Sequence, residues 1–174
     1  MPGVGPKLVQ QLTLAKDSID VEPQLELCRQ NNIKIVARSD SNYPKPLAEI
    51  YDPPNMLFCQ GELQDADQVA IAIVGTRHAS NYGSTVATNL ATGLAMAGFT
   101  IVSGLARGID AAAHRAALSA GGRTVAVLGG GLLKMYPPEH AQLAKEVAQS
   151  GAVLSESLPN QAPRAVRFRV ETES

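Results

Sequence analysis

The chain has 174 residues, 45% of them apolar, and a formal net charge of -1. That length holds one domain plus an appendage with a real core, and the apolar fraction excludes a disordered chain. The near-neutral charge excludes a uniformly basic nucleic-acid coat, so any polyanion site must be a local cluster of positive groups. The two cysteines, Cys28 and Cys59, have no CxxC spacing. They predict reduced cytoplasmic thiols and argue against a disulfide framework or a zinc site. No charged-then-apolar leader opens the chain, and no apolar run approaches the roughly 20 residues needed to span a bilayer, so no membrane partner is expected.

Residues 1–64 read as a helix-hairpin-like remnant followed by a small extension. Gly3-Val4-Gly5 is a hairpin, and Pro6 suits the first turn of a helix. G-V-G-P-K is similar to the second half of a helix-hairpin-helix, where turn amides and a helix start meet a DNA phosphate. A simple capped helix is the alternative. Ser18 to Cys28 predicts a helix, Ile33 to Val36 a short strand, and Met56 to Cys59 a second one closed by Gly61. Pro44, Pro46, Pro53 and Pro54 predict a turn-rich connection between the two strands.

Residues 65–160 read as the main domain, an α/β unit with a Rossmann-like parallel sheet. Gln68 to Gly75 is apolar on both faces and predicts a central strand. The helix from Tyr82 to Ala97 carries Val86, Leu90 and Leu94 as an expected buried stripe, with Ala87, Ala91 and Ala95 allowing close packing. Gly98 suits the left-handed residue that ends a helix. A strand from Phe99 to Val102, a helix from Asp110 to Ser119 and a strand from Arg123 to Leu128 follow. Glu139 to Gln149 predicts a third helix with Leu143 and Val147 inward, and Ala152 to Leu154 a fourth strand. This βα rhythm implies a parallel sheet covered on both faces. Residues 161–174 read as a divergent tail.

The chemistry sits where the strands end. Gly75, Thr76 and Arg77 follow the first main strand; Ser103, Gly104, Arg107 and Gly108 follow the second; Gly129, Gly130, Gly131 and Lys134 follow the third; Ser155 and Glu156 follow the fourth. Ligands of such sheets bind outside the carboxyl ends of the strands. Arg77 offers a guanidinium for a phosphate, and a surface ion pair is the plainer alternative. Ser80 suits a helix cap that leaves amides free for an anion. Glycines flanking Leu105-Ala106-Arg107 suggest amides aimed at an anion. Asp110 could be catalytic, but a helix cap is the favoured reading, with a loop tie beside it. His114 reads as a packed residue. Lys134 could neutralise a phosphate, and Tyr136 could offer a ring to a base, against an exposed lysine and a folded-down tyrosine. Neither GTRHAS nor LGGGLLKM has dinucleotide spacing, and no Walker-type loop is present. No nucleophile–base set, metal cluster or carboxylate pair is visible, so binding rather than catalysis is expected, with no cofactor and no metal.

Together these stretches resemble the DNA-processing protein A family, also called Smf. The resemblance rests on YPKPLAEIYDPPNMLFCQGEL, IVGTRHASNYG, IVSGLARGIDAAAH, VLGGGLLKMYPPEH and VLSESLP in order. It implies an extended Rossmann-like domain that binds single-stranded DNA without a nucleotide cofactor, in natural transformation and recombination. It also implies help in loading a RecA-type recombinase and suggests a homodimer. By motif, Gly75, Arg77, Ser103, Gly104 and the loop from Gly129 would line the DNA pocket. After the SES segment the chain departs from the family's Phe-Pro-x-Arg-Asn-Arg motif and reads QAPRAVRFRVETES. A truncated, inactive product is therefore one alternative. Another is an enzyme on a nucleotide or sugar phosphate, against which LGGGLLKMY lacks the Thr and Glu of the related P-G-G-x-G-T-x-x-E signature.

Overall fold

A computed structural model describes residues 20–163. The hairpin at Gly3 to Gly5 and the tail from residue 164 onward lie outside the described residues.

Each apolar run forms a strand close to its expected place. The extension supplies helix α1 (Glu22–Gln30), strand β1 (Lys34–Ala37), a single helical turn α2 (Lys45–Ala48) and β2 (Met56–Gly61). A 3-10 turn, Asp65–Gln68, leads into β3 (Ala70–Ala72). Then come α3 (Asn81–Met96), β4 (Thr100–Ser103), α4 (Ile109–Ser119), β5 (Thr124–Leu128), a 3-10 turn at Pro138–His140, α5 (Ala141–Ser150) and β6 (Ala152–Ser155). Gly98 follows α3 at φ 90°, the left-handed stop its position suggested.

All six strands join one sheet in the order β1-β2-β6-β5-β4-β3. β3, β4, β5 and β6 are mutually parallel; β2 runs antiparallel to β6, and β1 antiparallel to β2. The extension is thus continuous with the domain through backbone hydrogen bonds. Asp67 ties the turn before β3 to the sheet: the Thr100 hydroxyl donates to it at 2.9 Å, and Arg123 donates to both its oxygens at 2.9 Å. Burial pushes the Asp67 carboxyl up, yet these bonds and the Gln64 amide bring it below its ordinary range.

Two expectations fail, for one topological reason. The four parallel strands lie in sequence order, so successive right-handed crossovers all move the same way and lay α3, α4 and α5 on the same face. Consistent with that, α3 packs on α4 and α4 on α5. The sheet is therefore not covered by helices on both faces. Ile101, Ala126, Leu128 and Val153 face the helices and are buried. On the opposite face, Leu47, Ala48, Leu63 and Tyr43 of the extension cover Val125, Ala152, Leu154 and part of Val102. Val74 stays 69% exposed and Val127 47%. The first main strand is not central either: β3 is the sheet's edge among the described residues.

The expected stripe on α3 holds only at Leu94, which packs against the helical core in part. Ala87, Ala91 and Ala95 are the buried residues, packed on Ala113, Ala116 and Ala117 of α4. Small side chains let the two helices approach closely. Val86 and Leu90 point outward, and Leu90 is 55% exposed.

Candidate functional site

Parallel strands place the loops after β3, β4, β5 and β6 on one edge, and the structure knits those loops into a continuous rim. The Ile109 amide donates to the Thr76 carbonyl at 3.3 Å. Gly108, at φ 75°, lies so close to the Thr76 carbonyl and the Arg77 backbone that no Cβ would fit. Arg107 Nε donates to Glu139 Oε1 at 2.6 Å, and His140 Nδ1 bonds the Leu105 carbonyl at 2.8 Å. The Gly131 and Leu133 amides donate to the Gln161 and Pro159 carbonyls at 2.8 and 2.9 Å.

Asp110 is the hub of the first two loops. One carboxylate oxygen accepts from the Gly75 amide at 3.3 Å; the other accepts from Gly104 at 3.1 Å and Ala106 at 3.4 Å. The sequence suggested these amides for a bound anion. They meet instead an anion that the chain itself supplies, a buried carboxylate beside a helix start. Asp110 is thus a loop tie and not the favoured helix cap, since Gly108 takes the N-cap position and no side chain caps the helix. The glycines here admit protein: a Cβ on Gly75 would collide with Ile109, and one on Gly104 with Asp110.

The remaining residues divide between frame and surface. Ser103 is buried and donates to the Ile73 carbonyl at 2.6 Å, tying β4 to β3. Gly130 and Gly131 are buried against Pro163 and the Leu158–Pro159 backbone, whereas Gly129 is exposed with open space above it. Ser80 caps α3, accepting from the Gly83 amide at 3.1 Å. Thr76 and Arg77 are exposed at the first loop, Arg107 at the second and Lys134 at the third. Arg77 and Lys134 make no ion pair among the described residues. Arg107 is different. Besides Glu139 it reaches the Tyr136 hydroxyl at 3.4 Å, with its guanidinium 5.6 Å from the ring centroid. Tyr136 keeps 54% of its surface exposed. Glu139 had no assigned role in the sequence, and no local pattern marks it, because its partner lies 32 positions away.

His114 supports the rim from beneath. It is fully buried, its Nδ1 2.7 Å from the Thr124 hydroxyl. That hydroxyl donates to the Ile101 carbonyl at 2.7 Å, so it accepts from His114, which places the ring proton on Nδ1. Nε2 is then a buried atom without a partner. Burial brings the His114 pKa down to about 4, with the Ser103 backbone working the other way and the nearby His140 adding to the fall. Such a ring stays neutral and structural at neutral pH. Burial also pushes the Cys59 thiol up to about 11, which keeps it inert. Among the described residues no group of three or more His, Cys, Asp or Glu could hold a metal ion, and no helix is long and apolar enough to cross a membrane.

A six-stranded sheet with consecutive parallel βα units, its loops gathered at the carboxyl edge, defines a Rossmann-like α/β domain. The chain belongs to the DNA recombination-mediator protein A family, whose pattern matches residues 34–170. It is 39% identical over 158 residues to Protein Smf of Synechocystis, covering 88% of this chain and 40% of that protein. It is 40% identical over 141 residues to the DNA processing protein DprA of Bacillus subtilis, covering 80% and 48%. The X-ray structure of DprA from Streptococcus pneumoniae superposes with a TM-score of 0.75 at 39% identity, over 85% of this chain and 51% of that one. DprA from Helicobacter pylori, solved for its single-stranded DNA binding mode, gives a TM-score of 0.67 at 32% identity, over 76% and 59%. The chain thus spans less than half the length of these two curated relatives.

Proposed function

We propose that the rim binds single-stranded DNA through its phosphates, as part of DNA processing during uptake and recombination in the cytoplasm. One observation carries this reading. Three cationic side chains, Arg77, Arg107 and Lys134, stand on three adjacent loops at one edge of a chain whose net charge is -1. A local positive row on a near-neutral surface suits a polyanion that crosses several loops. The H. pylori relative's single-stranded DNA binding points the same way. Gly75, Thr76, Ser80, Ser103, Gly104, Gly108, Gly130 and Gly131 shape and hold these loops, while Gly129 leaves room for the strand beside Lys134. Tyr136 offers an exposed face on which a base can stack. The function is binding, not catalysis. A RecA-type recombinase and a second copy of the chain are the proposed protein partners, on the strength of the family.

A salt titration with labelled oligonucleotides tests this reading. Single strands should bind more tightly than duplex of the same length at moderate salt, with little dependence on sequence, because phosphate contacts carry none. Equal or tighter binding of duplex overturns it.

A further inference from the structure

We propose that Glu139 is a built-in stand-in for a phosphate, holding the Arg107 guanidinium in the unliganded protein and releasing it when a DNA phosphate arrives. The proposal rests on the reading of the rim as a single-stranded DNA site and adds to it a residue that sets the threshold for binding.

Two ion pairs of this chain show what distinguishes a frame from a latch. Arg123 and Asp67 are 23% and 9% exposed, and Asp67 has two further partners, the Gln64 amide on the turn and the Thr100 hydroxyl on the strand. Arg107 and Glu139 are 43% and 50% exposed, and a single carboxylate oxygen makes the contact. An ion pair so open to water contributes little to the fold and exchanges partners readily. Its place is also telling. Arg107 lies between the loops that carry Arg77 and Lys134, neither of which has an acidic partner among the described residues. Only the middle cation of the row is occupied. Tyr136 holds the same guanidinium through its hydroxyl and ring, so the arginine stays at the rim when the carboxylate lets go.

The physical consequence is selectivity for a strand over a lone anion. A single phosphate at Arg107 must displace a carboxylate of comparable strength and gains little. A strand whose neighbouring phosphates already meet Arg77 and Lys134 presents the third phosphate at high effective concentration, and the exchange becomes favourable. Glu139 thereby sets a fixed cost on filling Arg107, which a lone phosphate does not recover and a strand already held at Arg77 and Lys134 does.

The test is a double-mutant cycle read by oligothymidine affinity and its salt dependence. Glu139→Gln keeps the shape and removes the charge, on an exposed side chain, so folding should be unaffected by circular dichroism. It should tighten binding by about threefold and steepen the slope of log affinity against log salt by roughly 0.7, one more net phosphate contact. In an Arg107→Ala background the same substitution should change neither quantity. An equal gain in both backgrounds overturns the proposal, because Glu139 would then be only a remote negative charge. Weaker binding by Glu139→Gln also overturns it, because the carboxylate would then position the arginine instead of occupying it. Arg77→Ala separates the two levels. If it weakens binding while the cycle shows no coupling, only the role of Glu139 falls. If no protein of the set binds oligothymidine, the rim reading and the role of Glu139 fall together.

Discussion

Arg77 is the cleanest probe of the rim at the scale of a residue. It is exposed past Gly75 and makes no ion pair among the described residues, so its removal should leave the fold intact. Arg77→Ala should flatten the salt dependence of single-strand binding by roughly 0.7 and weaken all sequences alike. Lys34, on β1 at the far side of the sheet from Arg77 and paired with Glu62, is the control: Lys34→Ala should leave slope and affinity at wild-type values. His114 makes a second prediction at this scale. Its pKa falls from 6.5 to about 4 on folding, so between those values the unfolded chain binds more protons than the folded one. The His114 contribution is therefore intact above pH 6.5 and is lost as pH falls towards 4, by about 3 kcal/mol in all. Melting temperature should drop between pH 6.5 and 5, before most carboxylates titrate. His114→Gln, which cannot charge, should show a flatter profile in that window; an unchanged profile would exonerate the histidine.

Elements here depend on one another through close backbone approach. The loop after β4 docks on the loop after β3 at Gly108, whose φ of 75° and contact with the Thr76 carbonyl exclude a side chain. Gly108→Ala therefore meets both backbone strain and a clash, and should cost about 2–3 kcal/mol, lowering the melting temperature by several degrees. Gly129→Ala, with open space above it, is the comparison and should cost much less. Leu105 sits three residues before Gly108, fully buried at φ 57°. A leucine in that region is strained, and its burial with the His140 bond to its carbonyl holds it there. Helix α3 shows how far element packing departs from composition. Val86 and Leu90 face outward and Leu94 packs at the margin, because the contact itself is made by alanines of both helices that approach closely.

For the molecule as a whole, the described residues leave two apolar surfaces uncovered: the β3 edge with the outer side of α3, and the sheet face around Val74 and Val127. A sixteen-residue helix without a single charged side chain borders the open edge. Exposed strand edges and apolar patches of this kind drive self-association. The chain on its own should therefore show a concentration-dependent hydrodynamic size. Leu90→Lys together with Val74→Lys, both at exposed positions, should return it to a monomer in analytical ultracentrifugation. A monodisperse wild-type monomer across the micromolar range would show that these surfaces are shielded.

The sequence by itself determined the strands, the helices and their order, because apolar runs, glycine stops and the Ser80 cap act over a few residues. It also determined the family, because five motifs occur in fixed order, and it brought Arg77, Arg107 and Lys134 to one edge, because parallel strands send their following loops the same way. Only the tertiary structure decided which surfaces are covered. Val86 and Leu90 look like a core stripe until strand order puts all three crossover helices on one face and leaves β3 at the edge. It alone decided the fate of the polar groups at the rim. Asp110 reaches the Gly75 amide across 35 positions and Glu139 reaches Arg107 across 32, and such pairings follow from which loops meet, a matter no local pattern records.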